Sequence, residues 1–173
     1  LIIAFYFFIN PKNEKEELEF WTEHIGVVSP HNAHGRLIIR ELYGIMSSNK
    51  ISFLPNDKLM EYIKRTIVSV EKYQGSDRDY IIASIGLSDL DQLASEEEFI
   101  YDINRYNVLT SRPKRKLTVI CSKKFLDYVP ANREVMEKSE FIRNYCYEYC
   151  DQEKALTIPD KKGKLNNIIH RWR

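Results

Sequence analysis

Little in this chain is there to cross-link it, to interrupt it or to charge it with one sign. Three cysteines among 173 residues, Cys121, Cys146 and Cys150, are odd in number and unevenly spread. No disulfide framework is written here, and the expected setting is reducing, intracellular and cytoplasmic. Six glycines and six prolines exclude a collagenous or low-complexity chain. Twenty-six basic against twenty-five acidic side chains leave a formal charge of +1, so a polyanion partner would have to be met by a local patch rather than by the whole surface. The apolar run Leu1 to Ile9 is nine residues long, well short of the roughly 20 that span a bilayer. No basic segment precedes it as a signal peptide requires, so no membrane partner is expected and the run reads as a buried first strand. A start at Leu without Met reads as a piece of a longer protein.

What is there is a globular composition, 43% hydrophobic, 12% aromatic and 29% charged, in a length suited to one domain. Asn13 is placed to cap a charged helix from Glu14 to about His24, with Leu18 and Trp21 on one face. Ile25 to Val28 predicts a second strand. Leu37, Ile38, Leu42, Ile45 and Met46 recur at helical spacing in a helix begun at Ser29 or Asn32. A short helix follows from Lys58 to Ile63, then a β-branched third strand from Thr66 to Val70, a turn over Tyr73 to Asp79 and a fourth strand from Tyr80 to Ile85. Gly86 to Glu98 reads as a loop or weak helix whose Asp89, Asp91, Glu96, Glu97 and Glu98 form a solvated acidic face. A helix from Asp102 ends at Arg112, because Pro113 disfavours helical geometry before it. Leu117 to Cys121 is a fifth strand. Ser122 to Val129 and Glu134 to Cys150 look helical, and the polar, basic last twenty residues carry a short helix near Ile168. Apolar strands separated by helices predict an α/β fold, a mostly parallel sheet with helices on both faces.

In such a sheet the loops at the carboxyl ends of strands usually build the site. Three segments stand out. Val27 to Arg36 leads into a helix whose positive amino end suits a phosphate. Thr66 to Ile82 is a strand, a polar turn around Gly75 and another strand, where glycine lets a backbone approach a ligand closely. Asn104 to Lys116 is basic. Its Arg105 and Arg112 lie seven residues apart, two helical turns and near one face, and Arg112 sits at the helix end. A planar, permanently charged guanidinium there suits bidentate phosphate binding or charge stabilisation in phosphoryl transfer. Basic residues from Arg112 to Lys124 suit a nucleic-acid backbone or a solvated surface equally. His24, His31 and His34 have no fourth ligand or cysteine pair at useful spacing, so no metal site is predicted. Cys146 and Cys150 read as packing residues of one helical face.

In this order the three segments, VSPHNAH, SVEKYQGSDRDYII and RYNVLTSRPKRKLTVIC, resemble motifs IV, V and VI of superfamily 1 helicases, in the branch of the nonsense-mediated decay helicase and its replication relatives. The corresponding family patterns are ITPYxxQ, TVDxFQGxExDxII and RLNVALTRAxxxLxVxG. The resemblance covers about residues 1–129 and implies the second RecA-like motor domain, with residues 130–173 a helical extension packed on or trailing from it. By position it implies that Arg112 is the arginine that reaches the γ-phosphate across the interdomain cleft. Gln74 and Gly75 match the motif V pair, and Asp77 stands where a Glu associated with the nucleotide ribose is usual. Arg36 is the nearest match to the motif IV arginine, one residue displaced, and His34 replaces a usual Gln. Ser69 and Lys72 are implied contacts to single-stranded DNA or RNA. Ser111 and Pro113 replace Thr and Ala.

No G-x-x-x-x-G-K-[S/T] run and no Walker B pair accompanies these motifs. The resemblance therefore implies a P-loop NTPase fold lacking its own P-loop. ATP with its magnesium would be held mainly by a first RecA-like domain, and residues 1–173 alone would neither hydrolyse ATP nor translocate. The alternative is a non-catalytic binding or scaffold module that retains the helicase fold, for which Asp77, His34 and Pro113 are the departures to cite.

Overall fold

Four apolar segments lie side by side in the computed structural model, which describes residues 1–73, 77–159 and 163–172. They are β1 (Ile25–Val28), β2 (Ile67–Val68), β3 (Arg78–Ser84) and β4 (Pro113–Ile120), in the order β2-β1-β3-β4, with every neighbouring pair parallel. Side chains alternate across a strand. Ile25, Val27, Ile67 and Ile82 accordingly enter one apolar cluster, and Val28, Ile81 and Ala83 the other. Both faces must be covered, and parallel strands need crossovers to do so.

On the first face lie α1 (Ile2–Ile9), a π-helical turn (Phe20–His24) that continues α2 (Glu14–Glu19), α3 (Asn32–Ser48) and α4 (Asn56–Thr66). On the second lie α5 (Leu90–Ile100), α6 (Ile103–Ser111), α7 (Lys123–Asp127) and α8 (Arg133–Asn144). The fold is the expected α/β one, of RecA-like type. The caps are legible: Asn13 accepts from the Glu16 amide at 3.0 Å, and Asp89 and Asp102 accept from Gln92 and Asn104. Val135 and Ile142 of α8 join the same cluster as Ile81 and Tyr106, so this part of the extension packs on the body.

Two expectations are corrected. Leu1 to Ile9 is not a strand. Its unbroken apolar run has no period to distinguish strand from helix, and it folds as α1. Tyr6 is thereby buried against Phe20 with ring centroids 5.1 Å apart, and Phe5 lies against Tyr80 at 4.3 Å. The sheet therefore has four strands among the described residues. The helix expected near Ile168 is instead half of an antiparallel hairpin, β5 (Gln152–Pro159) and β6 (Leu165–Trp172), in which Leu156 pairs with Ile168. The β-branched Ile168 and Ile169 favour the extended form there, and Gly163, shortly before β6, supplies a positive φ of 77°.

Candidate nucleotide and nucleic-acid edges

The amino ends of β3 and β4 hold Arg112. Helix α6 stops at Ser111, and Pro113 opens β4, an edge strand whose first residue tolerates a missing amide. Between them the Arg112 carbonyl accepts from the Arg78 amide at 3.3 Å, which fixes the backbone between two strands. Its side chain is held more loosely. Nη1 donates to Asp77 Oδ1 at 3.3 Å, with Asp77 half exposed, and the buried Nε finds no hydrogen-bond partner among the described residues. Beside this pair, Asp79 meets His24 Nδ1 at 2.7 Å and Arg115 Nε at 3.7 Å. Gln74 and Gly75 lie outside the described residues.

The carboxyl ends of β1 and β2 form a different surface. The Ser29 amide donates to the Val68 carbonyl at 3.1 Å, joining the two strand ends. Helix α3 begins just beyond, its amino end uncapped by any side chain. A cleft of about 410 Å³ opens there, lined by Ser29, Arg36, Lys64, Ser69 and Lys72 among others. Arg36, Lys64 and Lys72 have no ion-pair partner among the described residues. Three unpaired cations and the positive end of a long helix suit phosphate oxygens. Lys64 was not legible as a site residue. The signal for it is a basic side chain in the last turn of α4, immediately before the short strand that leads to Ser69.

The two edges are separated by the seven residues of β3, roughly 20 Å at about 3.3 Å per residue. The structure brings Arg112 and Asp77 together. Arg36 is not with them: the structure places it with Ser69 and Lys72. Sequence alone could not assign it, because the edge on which a loop emerges is set by strand register. Ser69 stands on the carboxyl edge and Asp77 on the amino edge, and residues 69–73 begin the passage between them. Its 3-10 turn (Val70–Tyr73) lays the Tyr73 ring on Gly26, where an added Cβ would come within 1.9 Å of the tyrosine oxygen. Burial pushes the Tyr73 hydroxyl up to about 12.

The other departures also have places. His34 Nε2 meets Ser84 Oγ at 2.9 Å beneath Gly86, so it ties α3 to the end of β3. Burial and the neighbouring His31 hold its pKa below the ordinary histidine value. His31 lies 3.2 Å from Glu96. The acidic run is therefore not the wholly solvated face that its sequence predicts, since Glu97 also accepts from the Tyr128 hydroxyl at 2.8 Å. These partners come from distant segments, which no local charge count reveals. His24 stands on the amino edge and His31 and His34 on the other. Among the described residues no group of three His, Cys, Asp or Glu is placed to hold a metal ion, and no helix is long and apolar enough to cross a membrane.

A four-stranded parallel sheet covered on both faces, with an arginine at one edge and a basic cleft at the other, is a RecA-like α/β domain. Comparison with known proteins agrees with that class: residues 6–124 match the AAA domain family, and the chain belongs to it. Over 106 residues it is 29% identical to the DNA replication ATP-dependent helicase/nuclease JHS1 of Arabidopsis thaliana, an alignment covering 61% of this chain and 7% of that protein. The chain is a helicase-family domain, spanning a small fraction of the relative's length.

Proposed function

We propose that this is the second motor domain of an ATP-dependent DNA or RNA helicase or translocase of superfamily 1, closing on ATP held by a first RecA-like domain. The observation that carries it is Arg112. Its backbone is fixed by two strands, while its side chain ends on one half-exposed carboxylate and keeps a buried Nε with no hydrogen-bond partner among the described residues. A guanidinium in that condition suits an incoming terminal phosphate, with Asp77 the group displaced or turned toward the ribose. Bound ATP with magnesium supplies the phosphoanhydride whose cleavage drives such a motor. Arg112, Asp77 and, by position, Gln74 and Gly75 are this chain's share of its site. The sequence contains no phosphate-cradling loop, so the magnesium ligands belong to the first domain.

On the opposite edge, Ser69, Lys72, Arg36 and Lys64 hold the phosphates of a single strand. This moves Arg36 from the nucleotide to the track. In the full-length protein, Arg112→Ala is expected to lower nucleic-acid-stimulated hydrolysis by about 10³-fold or more while weakening nucleotide binding only modestly. Wild-type turnover in that variant would refute the reading and leave the scaffold module in its place. Residues 1–173 alone offer too few charge-assisted contacts for the roughly 8 kcal/mol of a micromolar complex. Calorimetry is expected to show millimolar or undetectable ATP binding.

A further inference from the structure

Helix α6 carries Arg112 just past its carboxyl end, and near its amino end it carries Arg105, which reaches toward the other edge of the sheet. We infer that Arg105 is a positioning residue that couples occupancy of the phosphate cleft to the placement of Arg112. This rests on the motor-domain reading above. Arg105 Nη1 donates to Glu71 Oε1, and its guanidinium lies over the Phe99 ring with Cζ 3.8 Å from the centroid. The plane is thus fixed from two sides, by a carboxylate and by an aromatic face of α5. The Arg105 side chain is 22% exposed and that of Glu71 53%, so the arginine is the sheltered partner and solvent still reaches the carboxylate.

Glu71 is the neighbour of Lys72 in the 3-10 turn, and the turn is closed on itself by backbone hydrogen bonds. The Lys72 and Tyr73 amides both donate to the Ser69 carbonyl at 3.1 Å. Ser69 and Lys72 line the cleft, so a strand seated there cannot shift them without shifting Glu71. From Glu71 the connection runs through the ion pair to α6. The seven residue steps from Arg105 to Arg112 then span roughly 10 Å along the helix, anchored by buried Tyr106 and Leu109. Val70 and Tyr73 share an apolar cluster with those two side chains, which keeps turn and helix in contact. Apolar packing alone leaves their register loose. The directional Glu71–Arg105 pair fixes it.

The test uses the full-length protein and reads ATP turnover with and without a saturating single-stranded oligonucleotide, together with the oligonucleotide Kd. Arg105→Gln and Glu71→Gln are each expected to lower the stimulation ratio about tenfold, with basal turnover and Kd kept within about twofold. The double variant is expected to be no worse than either single one, because both remove the same link. The charge exchange Glu71→Arg with Arg105→Glu is expected to recover part of the ratio. An unchanged ratio, losses that multiply in the double variant, or a fall in basal turnover as large as the fall in the ratio would each overturn the inference. Arg112→Ala is the control. If it fails to lower turnover, the motor reading has failed; if it lowers turnover while Arg105→Gln keeps the ratio, only the coupling has.

Discussion

The two edges of the sheet are charged in opposite styles. At the amino ends of β3 and β4, Arg112 is paired with Asp77 and Arg115 with Asp79, whose carboxylate also meets His24 Nδ1. At the carboxyl ends of β1 and β2, Arg36, Lys64 and Lys72 stand around a cleft without an ion-pair partner among the described residues. An unpaired cluster keeps a standing attraction for any phosphate, which suits a track that is never far from its polymer. A paired arginine holds its charge in reserve, and exposed pairs exchange partners at little cost. Residues 69–73 begin the crossover between the edges, and their seat on β1 is a glycine.

That seat gives the largest expected effect on the comparison. Gly26→Val places carbon where the Tyr73 ring lies, since even a Cβ would approach its oxygen to 1.9 Å. Overpacking of this kind costs about 1–3 kcal/mol, and here at the upper end because the neighbour is a buried ring rather than a flexible chain. A lower urea midpoint with an unchanged slope is expected. An unchanged midpoint would mean that Tyr73 can leave β1 freely and that the crossover does not set the geometry of either edge.

Sequence showed the strands that carry β-branched runs and the helices that carry an Asn or Asp cap. It also placed Arg112 at a helix end, through Pro113. It misread the run Ile2 to Ile9, because a segment apolar on every side obeys either period and only Phe20 and Tyr80, brought from elsewhere, decide between them. The C-terminal hairpin was hidden for a related reason. Its strands are exposed on both faces, so no burial pattern marks them, and the pairing of Leu156 with Ile168 is non-local. The division of site residues between edges was equally hidden. Arg36 and Arg112 are both arginines near strand ends, and only the parallel register puts them on opposite sides.

The cleft can be tested by removing its charge. Arg36→Ala, Lys64→Ala and Lys72→Ala together, in the full-length protein, are expected to weaken single-strand binding about 100-fold at moderate salt. They should also flatten the dependence of log affinity on log salt by about two, at roughly 0.7 per lost phosphate contact. An unchanged slope would move the track elsewhere. At the other edge, Asp77→Asn is expected to change folding stability by less than about 1 kcal/mol, as an exposed pair should. A larger loss in the urea midpoint would show that Arg112 is locked rather than held in reserve.

The smallest effect concerns His34, which closes the carboxyl edge by meeting Ser84. Burial, and then the neighbouring His31, lower its pKa in the folded protein. The unfolded chain, at about 6.5, therefore takes up a proton more readily than the fold does. The stability that neutral His34 contributes is complete above that value and is lost as pH falls through 6.5 toward the lower folded pKa. The side chain is only partly buried, so solvent screens much of the effect. His34→Gln removes the titration while leaving an amide within reach of Ser84. Between pH 7.5 and 5.5 the urea midpoint of the wild-type domain is expected to fall by more than that of the variant. Equal falls in the two proteins would mean that His34 is already solvated in the fold and that the hydrogen bond to Ser84 does not hold α3 against the end of β3.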